Sequence, residues 1–318
     1  MTLLDGNNLT VVTEFFLIGF QGLRNERLLL FSLLLVIYCW TISMNFFLVA
    51  LVSTNGNLHT PMYFFLTQLF INDILLITDV VPNLLHILLT DGATIAFIGC
   101  ITQLCFFSAS ETCECLLLTV MSYDRYVAIC IPLRYSSIMT STYYVKLAIT
   151  SWVVGSSIIW IGIFTISTLT FCGSNIIDHL YCDLLPLLDL ACSDTSLVQL
   201  ELSLLSTLLV LIPSIIIVIS YINIIVTILR IPSSTGRQKA FSTCSSHLIV
   251  VSIFYWTMFS VYVFPSRGQS QTISKILSLL YTVFTPLINP IIYTLRNKDI
   301  SKALDEGIHK YIKYFSLT

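Results

Sequence analysis

Long stretches of this chain contain no Asp, Glu, Lys or Arg, and short polar segments punctuate them. Charge-free tracts run over 28–72, 147–177, 202–229, 240–266 and 276–295. A hydrocarbon layer about 30 Å thick takes roughly 20 residues of α-helix to cross, so the first tract holds two crossings and the others one each. The first tract breaks at Ser53-Thr54-Asn55-Gly56-Asn57 and His59-Thr60-Pro61, residue types that favour a tight turn. Helices are therefore predicted at about 28–52 and about 60–84. A further apolar tract, Phe97–Ile131, is interrupted by Glu111, Glu114 and the Asp124-Arg125 pair, and it spans once those groups face inward. The total is seven. Runs such as Leu28–Ile37 do not alternate with a period of two, which argues against a β-barrel. Helices satisfy every backbone hydrogen bond within their own segment, as lipid requires.

Composition narrows the class further. The 318 residues include 15 Lys+Arg and 17 Asp+Glu, and 56% are hydrophobic; mean hydropathy is +0.89. A soluble domain is about 25% charged, whereas this chain is 10% charged. That excludes a water-soluble protein, a disordered one and a nucleic-acid binder with a basic face. The predicted fold is all-α: a seven-transmembrane helix bundle over 28–295, after an N-terminal segment 1–27 and before an amphipathic helix and tail over 296–318. Residues 1–27 hold Asp5, Glu14, Arg24, Glu26 and Arg27 and lack the basic and apolar regions of a cleaved signal peptide. The first helix is then its own insertion signal.

Basic residues set the orientation. With the N-terminus outside, Arg125, Arg134, Lys146, Arg230, Arg237, Lys239, Arg296, Lys298, Lys302, Lys310 and Lys313 lie at the cytoplasmic side. Arg24, Arg27, Arg267 and Lys275 remain outside, which is 11 against 4. The flanks of the first helix vote the other way, with Arg24 and Arg27 before it and only His59 after it. Asn8-Leu9-Thr10 is a glycosylation sequon, and a sequon needs a lumenal face. Four of the ten cysteines fall on the same side, Cys100, Cys172, Cys182 and Cys192, and permit three pairings. The other six read as small apolar core residues.

Asp124-Arg125-Tyr126 at the inner end of the third helix resembles the corresponding triplet of rhodopsin-like G-protein-coupled receptors. Longer strings are more specific. They are Pro61-Met62-Tyr63-Phe64-Phe65-Leu66, Met121-Ser122-Tyr123-Asp124-Arg125-Tyr126-Val127-Ala128-Ile129-Cys130, Lys239-Ala240-Phe241-Ser242-Thr243-Cys244-Ser245-Ser246-His247-Leu248, and Pro286-Leu287-Ile288-Asn289-Pro290-Ile291-Ile292-Tyr293 with Leu295-Arg296-Asn297-Lys298. In this order and across essentially the full chain, they are similar to the vertebrate odorant (olfactory) receptors. The resemblance implies a small volatile odorant as ligand, a heterotrimeric G protein of the stimulatory olfactory type acting through cyclic AMP, and a multi-pass plasma-membrane protein with its N-terminus extracellular. It also implies the disulfides Cys100–Cys182 and Cys172–Cys192. Three positions depart from the family pattern: Met44 before Asn45, Phe70 ahead of Asp73, and Trp256 after Phe254-Tyr255. Trp256 is expected to reshape the pocket floor or the packing of the sixth helix.

Charges inside the membrane cost about 2.5 kcal/mol or more each on insertion scales, so each demands a role. In related receptors an acid on the second helix holds a sodium ion beside polar groups of the seventh. Asp73, Glu114 and Asn289 stand at matching places here, and a hydrogen-bonded polar joint without an ion is the alternative. Arg125 can pair with Asp124 in a closed bundle and face a partner when the sixth helix swings out. That helix offers Lys239 and His247 instead of an acid, so Tyr221 and Tyr293 are the expected partners of Arg125. His247 reads as a buried packing residue or as a proton-sensitive switch.

On the third helix Phe107, Ser108, Glu111, Thr112 and Cys115 share one face. Glu111 is expected to receive an amine or another hydrogen-bond-donating odorant, or else to be a protonated carboxyl bonded to Thr112 or a neighbouring helix. By register and family analogy, Ser206, Leu209, Phe254, Tyr255, Thr257, Leu279 and Thr282 complete the expected pocket. After the seventh helix, Ile300, Ala303, Leu304, Ile308 and Ile312 recur at helical spacing among Lys298, Lys302, Lys310 and Lys313, the pattern of a helix lying on anionic lipid.

Other classes fit less well. A transporter should show an inverted repeat or paired broken helices. An opsin needs a lysine midway along the seventh helix, whereas Lys275 lies at its outer end. A membrane enzyme needs a catalytic motif, and none is present. A non-olfactory amine receptor would carry its acid one turn above Glu111, where Phe107 stands.

Overall fold

The computed structural model describes residues 12–20, 26–172, 174–260, 271–297 and 299–304. The chain runs as β1 (Glu14–Leu17), α1 (Arg27–Thr54), α2 (Pro61–Thr90), β2 (Ala93–Ala96), α3 (Phe97–Cys130), α4 (Tyr135–Ile138), α5 (Ser141–Ser167), β3 (Ile176–Ile177), α6 (Leu184–Leu188), α7 (Ser196–Leu229), α8 (Ser234–Met258), α9 (Gln271–Leu279) and α10 (Thr285–Arg296). Among the described residues, α1, α2, α3, α5, α7 and the continuous stretch Thr272–Arg296 are long and apolar enough to cross a membrane. The remaining span is α8, whose first half is polar and carries Arg237 and Lys239. Seven helices in one bundle result.

The ends of these helices follow from local chemistry. Pro61 opens α2 at a position where a missing N–H costs nothing. The helix then runs two turns past its predicted end, because Leu85–Thr90 remains apolar apart from His86. It stops where Asp91 turns left-handed at φ 63° and Gly92 follows at φ 114°. A Cβ on Gly92 would stand 2.4 Å from the Phe16 ring, so only glycine fits this corner. By contrast, α5 ends ten residues before its charge-free tract does; residues 168–177 join the loop that leads to α7. The seventh span is α9 and α10 joined by a π-helical turn, Leu280–Phe284, just ahead of Pro286.

At one end of the bundle, β1 pairs antiparallel with β2 and parallel with β3, in the order β2-β1-β3. Phe15 and Leu17 point inward, and Phe15 packs on Phe97 and Phe171. The disulfides Cys100–Cys182 and Cys172–Cys192 lie at this same end, the lid end, where the segment between α5 and α7 that carries Cys172, Cys182 and Cys192 forms the lid. The all-α reading therefore needs one addition, a small sheet made of segments far apart in sequence.

Polar side chains stitch the spans together, as expected where lipid offers no hydrophobic drive between helices. Asn45 donates to the Pro286 carbonyl at 3.1 Å, Asn72 to the Ser110 carbonyl at 3.1 Å, and Trp152 to Gln68 at 3.1 Å. Helix α3 is central and packs on α2, α5 and α7. Ala148, Ser151 and Gly155 form a small-residue face on α5, and a Cβ on Gly155 would meet Cys113 Sγ at 2.9 Å. Trp256 departs from expectation. It is 76% exposed and faces the lipid, because it falls outside the stripe of Val251, Phe254, Tyr255 and Met258 that packs inward. Phe70 is buried against the Tyr293 ring.

Candidate functional site

Beneath the lid, α3, α5 and α7 enclose a cavity of about 120 Å³. An apolar protein cavity of roughly 150 Å³ accommodates benzene, so the space suits a molecule of that size. The α3 face predicted from register lines it: Phe107, Ser108, Glu111, Thr112 and Cys115. Ser206 and Leu209 on α7 also line it, as expected. Phe254, Tyr255, Thr257, Leu279 and Thr282 are not among its lining residues. Phe254 is packed in the core against Tyr255, and the Tyr255 hydroxyl meets Cys115 Sγ at 3.0 Å. Thr257 and Thr282 spend their hydroxyls on the carbonyls of their own helices, and Leu279 packs on the cluster around Tyr281. Among the described residues, Met258 alone represents the sixth span on the wall. The register analogy missed Ile158, Ile159, Gly162, Ile163 and Ile166 of α5, and Asp183 and Leu184 of the lid. Gly155 and Gly162, seven residues apart on one helix face, were the available signal.

Glu111 is 5% exposed, and neither carboxylate oxygen has a hydrogen-bond partner among the described residues. The expected bond to Thr112 does not form, because that hydroxyl donates to the Ser108 carbonyl at 2.9 Å. Asp183, across the cavity, accepts from the Leu184 N–H at 2.7 Å and caps α6.

The lid is anchored from several sides. Lys275 donates to Asp178 at 2.5 Å and to the Gly19 carbonyl at 2.7 Å. His179 is buried between the Tyr181 carbonyl and Ser278, 3.2 Å from each. Burial holds its imidazole below the ordinary value of 6.5, and the Lys275 charge adds to this; Asp183 and Asp178 pull the other way. Tyr181 reaches into the bundle, bonds the Tyr281 hydroxyl at 2.5 Å and stacks on Phe107. Arg27 pairs with Asp91 at the same end.

Midway down, Asn289 donates to both oxygens of Asp73, at 3.1 and 3.2 Å, and to Glu114 Oε1 at 3.4 Å. All three residues are buried, and Glu114 Oε2 has no partner among the described residues. Asp79, also within α2, carries a further carboxylate oxygen without a partner among the described residues, and no motif marks it in the sequence.

At the far end Arg125 pairs with Asp124, whose other oxygen accepts from the Tyr135 hydroxyl at 2.8 Å. Burial, and then the Asp124 charge, raise the Tyr135 phenol above its ordinary value. The expected contacts of Arg125 with Tyr221 and Tyr293 are not made. Tyr221 bonds His247 at 2.6 Å with the rings stacked, and the Tyr293 hydroxyl has no partner among the described residues. Tyr126 is half-buried against the core. An open crevice of about 720 Å³ is lined here by Tyr63, Arg125, Ser242, Ser246, Arg296 and Asn297, among others. Beyond α10, residues 299–304 are helical, with Ile300 and Ala303 buried in the bundle. Asn8, the Lys239 side chain, Lys298 and residues 305–318 lie outside the described residues.

The chain resembles known proteins over nearly its whole length. A family model described as "Olfactory receptor" matches residues 34–310. Human (Homo sapiens) olfactory receptor 11L1 is 44% identical over 301 residues, covering 95% of this chain and 94% of the relative. Human olfactory receptor 11H4 is 46% identical over 294 residues, with 92% and 91% covered. Mouse (Mus musculus) olfactory receptor 6B9 is 42% identical over 301 residues, with 95% of both covered. A cavity under a disulfide-tied lid, an arginine crevice at the opposite end and these matches agree: the chain belongs to the olfactory receptor family, the odorant-binding G-protein-coupled receptors.

Proposed function

We propose that a small volatile odorant binds between α3, α5 and α7 and triggers a heterotrimeric G protein of the stimulatory olfactory type at the crevice around Arg125, raising cyclic AMP. The observation that carries this reading is the placement of two openings along one helix, α3, one beside its middle turns and one near its C-terminal end. Glu111 and Cys115 face the cavity, and Arg125 faces the crevice. Cys115 Sγ also touches the Tyr255 hydroxyl, which couples the cavity wall to the sixth span, the element that must move to free Arg125. The receptor sits in the plasma membrane with the lid end outside. Two basic residues at that end are paired there, Arg27 with Asp91 and Lys275 with Asp178, which supports this orientation by reducing the weight of Arg27 in the dissenting vote.

A sodium ion at Asp73 and Glu114 belongs to the same proposal. Two buried carboxylates share one amide, so protons or a cation must offset the excess charge, and the unpartnered Glu114 oxygen suits a cation ligand. When bound, the ion supplies positive charge that favours the closed arrangement of α2, α3 and α10. The test is ligand-dependent cyclic AMP in transfected cells. Arg125→Ala should abolish the response to an odorant mixture at unchanged surface level. A response that persists in Arg125→Ala, or substrate uptake into vesicles carrying the receptor, would overturn the reading.

A further inference from the structure

Glu111 presents a buried carboxyl to the cavity, and neither oxygen has a hydrogen-bond partner among the described residues. An unpaired carboxylate is among the costliest groups to bury, so a ligand that supplies its partner is strongly favoured. The rest of the wall indicates which partner. The described lining residues include two acids, Glu111 and Asp183, and no Lys, Arg or His. The polar remainder is hydroxyl: Ser108, Ser206 and Thr112, the last already committed to its own helix. Asp183 lies close enough to Glu111 to interact with it electrostatically. Among the described residues the site therefore has carboxyl acceptors in excess and lacks a cation. An alkylammonium group has three donors and no acceptor, which is the complement of that wall. Carbonyl odorants bring only acceptors, and alcohols bring a single donor without charge.

Resting on the reading of this cavity as the ligand site, we propose that the receptor is built for small protonated alkylamines, with Glu111 as the ammonium's direct partner and Asp183 as a second anionic wall on the lid. The apolar part of the ligand packs on Leu104, Phe107, Ile159 and Leu205. The volume limits it to about the size of a single six-membered ring.

The experiment uses the full receptor in transfected cells, with surface staining, and three probes that share one ring: cyclohexylamine, cyclohexanol and cyclohexanone. Cyclohexylamine should be the most potent. Glu111→Gln keeps shape and one acceptor oxygen but loses the charge, so it should raise the half-maximal concentration of cyclohexylamine by about 10- to 100-fold. The two neutral probes should move by less than about threefold. Asp183→Asn retains an oxygen to cap α6 and should weaken cyclohexylamine by up to about fivefold. The proposal is overturned if the amine is no more potent than the alcohol, or if Glu111→Gln shifts all three probes alike. It is also overturned if neutral volatiles from a wider panel evoke cyclic AMP while amines do not, and then the cavity still stands as the odorant site. If no volatile of any head group acts on wild-type receptor at the cell surface, the reading of the cavity itself fails.

Discussion

Lys275 tests whether the lid is held from the seventh span. Its side chain is 5% exposed and joins three segments: α9, the loop at Asp178 and the N-terminal strand through the Gly19 carbonyl. Lys275→Met keeps the stem and removes the charge. The ion pair is partly screened, because the Asp178 side chain is 41% exposed, and contributes about 1 kcal/mol or less. The bond to the Gly19 carbonyl is charge-assisted and contributes about 1.5 kcal/mol once the freed carbonyl can find water. Against these stands the desolvation of the ammonium, which methionine avoids and which offsets about 1 kcal/mol. The net loss is about 1–1.5 kcal/mol, a five- to tenfold change in local opening. The Ile18 and Gly19 amides report it directly, since they donate to the Ile177 and His179 carbonyls at 3.1 and 3.2 Å. Hydrogen exchange of these two amides in purified receptor should accelerate by about that factor, while the Asn45–Pro286 region of the core keeps its protection. Unchanged exchange would refute the reasoning. So would strict additivity of Lys275→Met and Asp178→Asn in a double-mutant cycle.

The two disulfides should differ in weight. Their sequence separations are 82 and 20 residues, for which loop-closure entropy gives about 4.5 and about 3.3 kcal/mol. Cys100→Ser with Cys182→Ser should therefore reduce surface expression more than Cys172→Ser with Cys192→Ser, as counted by flow cytometry; the reverse order would count against the model of a lid closed chiefly through α3. His179 makes lid docking pH-dependent. Its folded value lies below the unfolded 6.5, so the undocked lid takes up the proton first as pH falls. Docking stability is then fully present above about pH 6.5 and declines below it. After correction for intrinsic rates, Gly19 exchange should rise between pH 7.5 and 5.5 in wild type and stay flat in His179→Gln. Tyr181→Ala should open room between α3 and α10 and shift the ligand preference of a cyclic AMP panel toward larger molecules; an unchanged size cut-off would show that Tyr181 does not limit the cavity.

Helix number and placement were legible in the sequence because a membrane span leaves a strong one-dimensional trace, 20 residues without charge. The sheet was not. Its strands are four, four and two residues long, and β1 pairs with partners about 80 and 160 residues away, so no local period announces them. Trp256 shows a different failure. Val251, Phe254, Tyr255 and Met258 already mark the inward stripe of α8, and that register puts Trp256 on the opposite side. Family analogy had placed it near the pocket; periodicity alone would have turned it to lipid. The pairing of Arg125 with Asp124 was legible from their adjacency; the tyrosines of α7 and α10 were not needed as partners, because Asp124 stands one residue away and Tyr135 supports it.

The cavity's displacement toward α5 also has a physical cause, and it lies in the lid. The residue beside the Cys100–Cys182 bridge is Tyr181, fully buried, and its ring is inserted against Phe107 and joined to Tyr281 through the hydroxyl. Tyr281 in turn packs on Phe107 with ring centroids 5.7 Å apart. Three aromatic rings thus fill the space between the third and seventh spans, where Leu279 and Thr282 were expected to meet a ligand. On the opposite flank of α3 the fourth span presents Gly162, where an added Cβ would meet Leu202 at 3.0 Å, so a side chain there would crowd the cavity wall. The same disulfide that ties the lid to α3 therefore plugs one side of the bundle with Tyr181 and leaves the other side open. Glu111 faces the open side. Its position relative to that aromatic plug makes an otherwise costly buried acid available to a ligand.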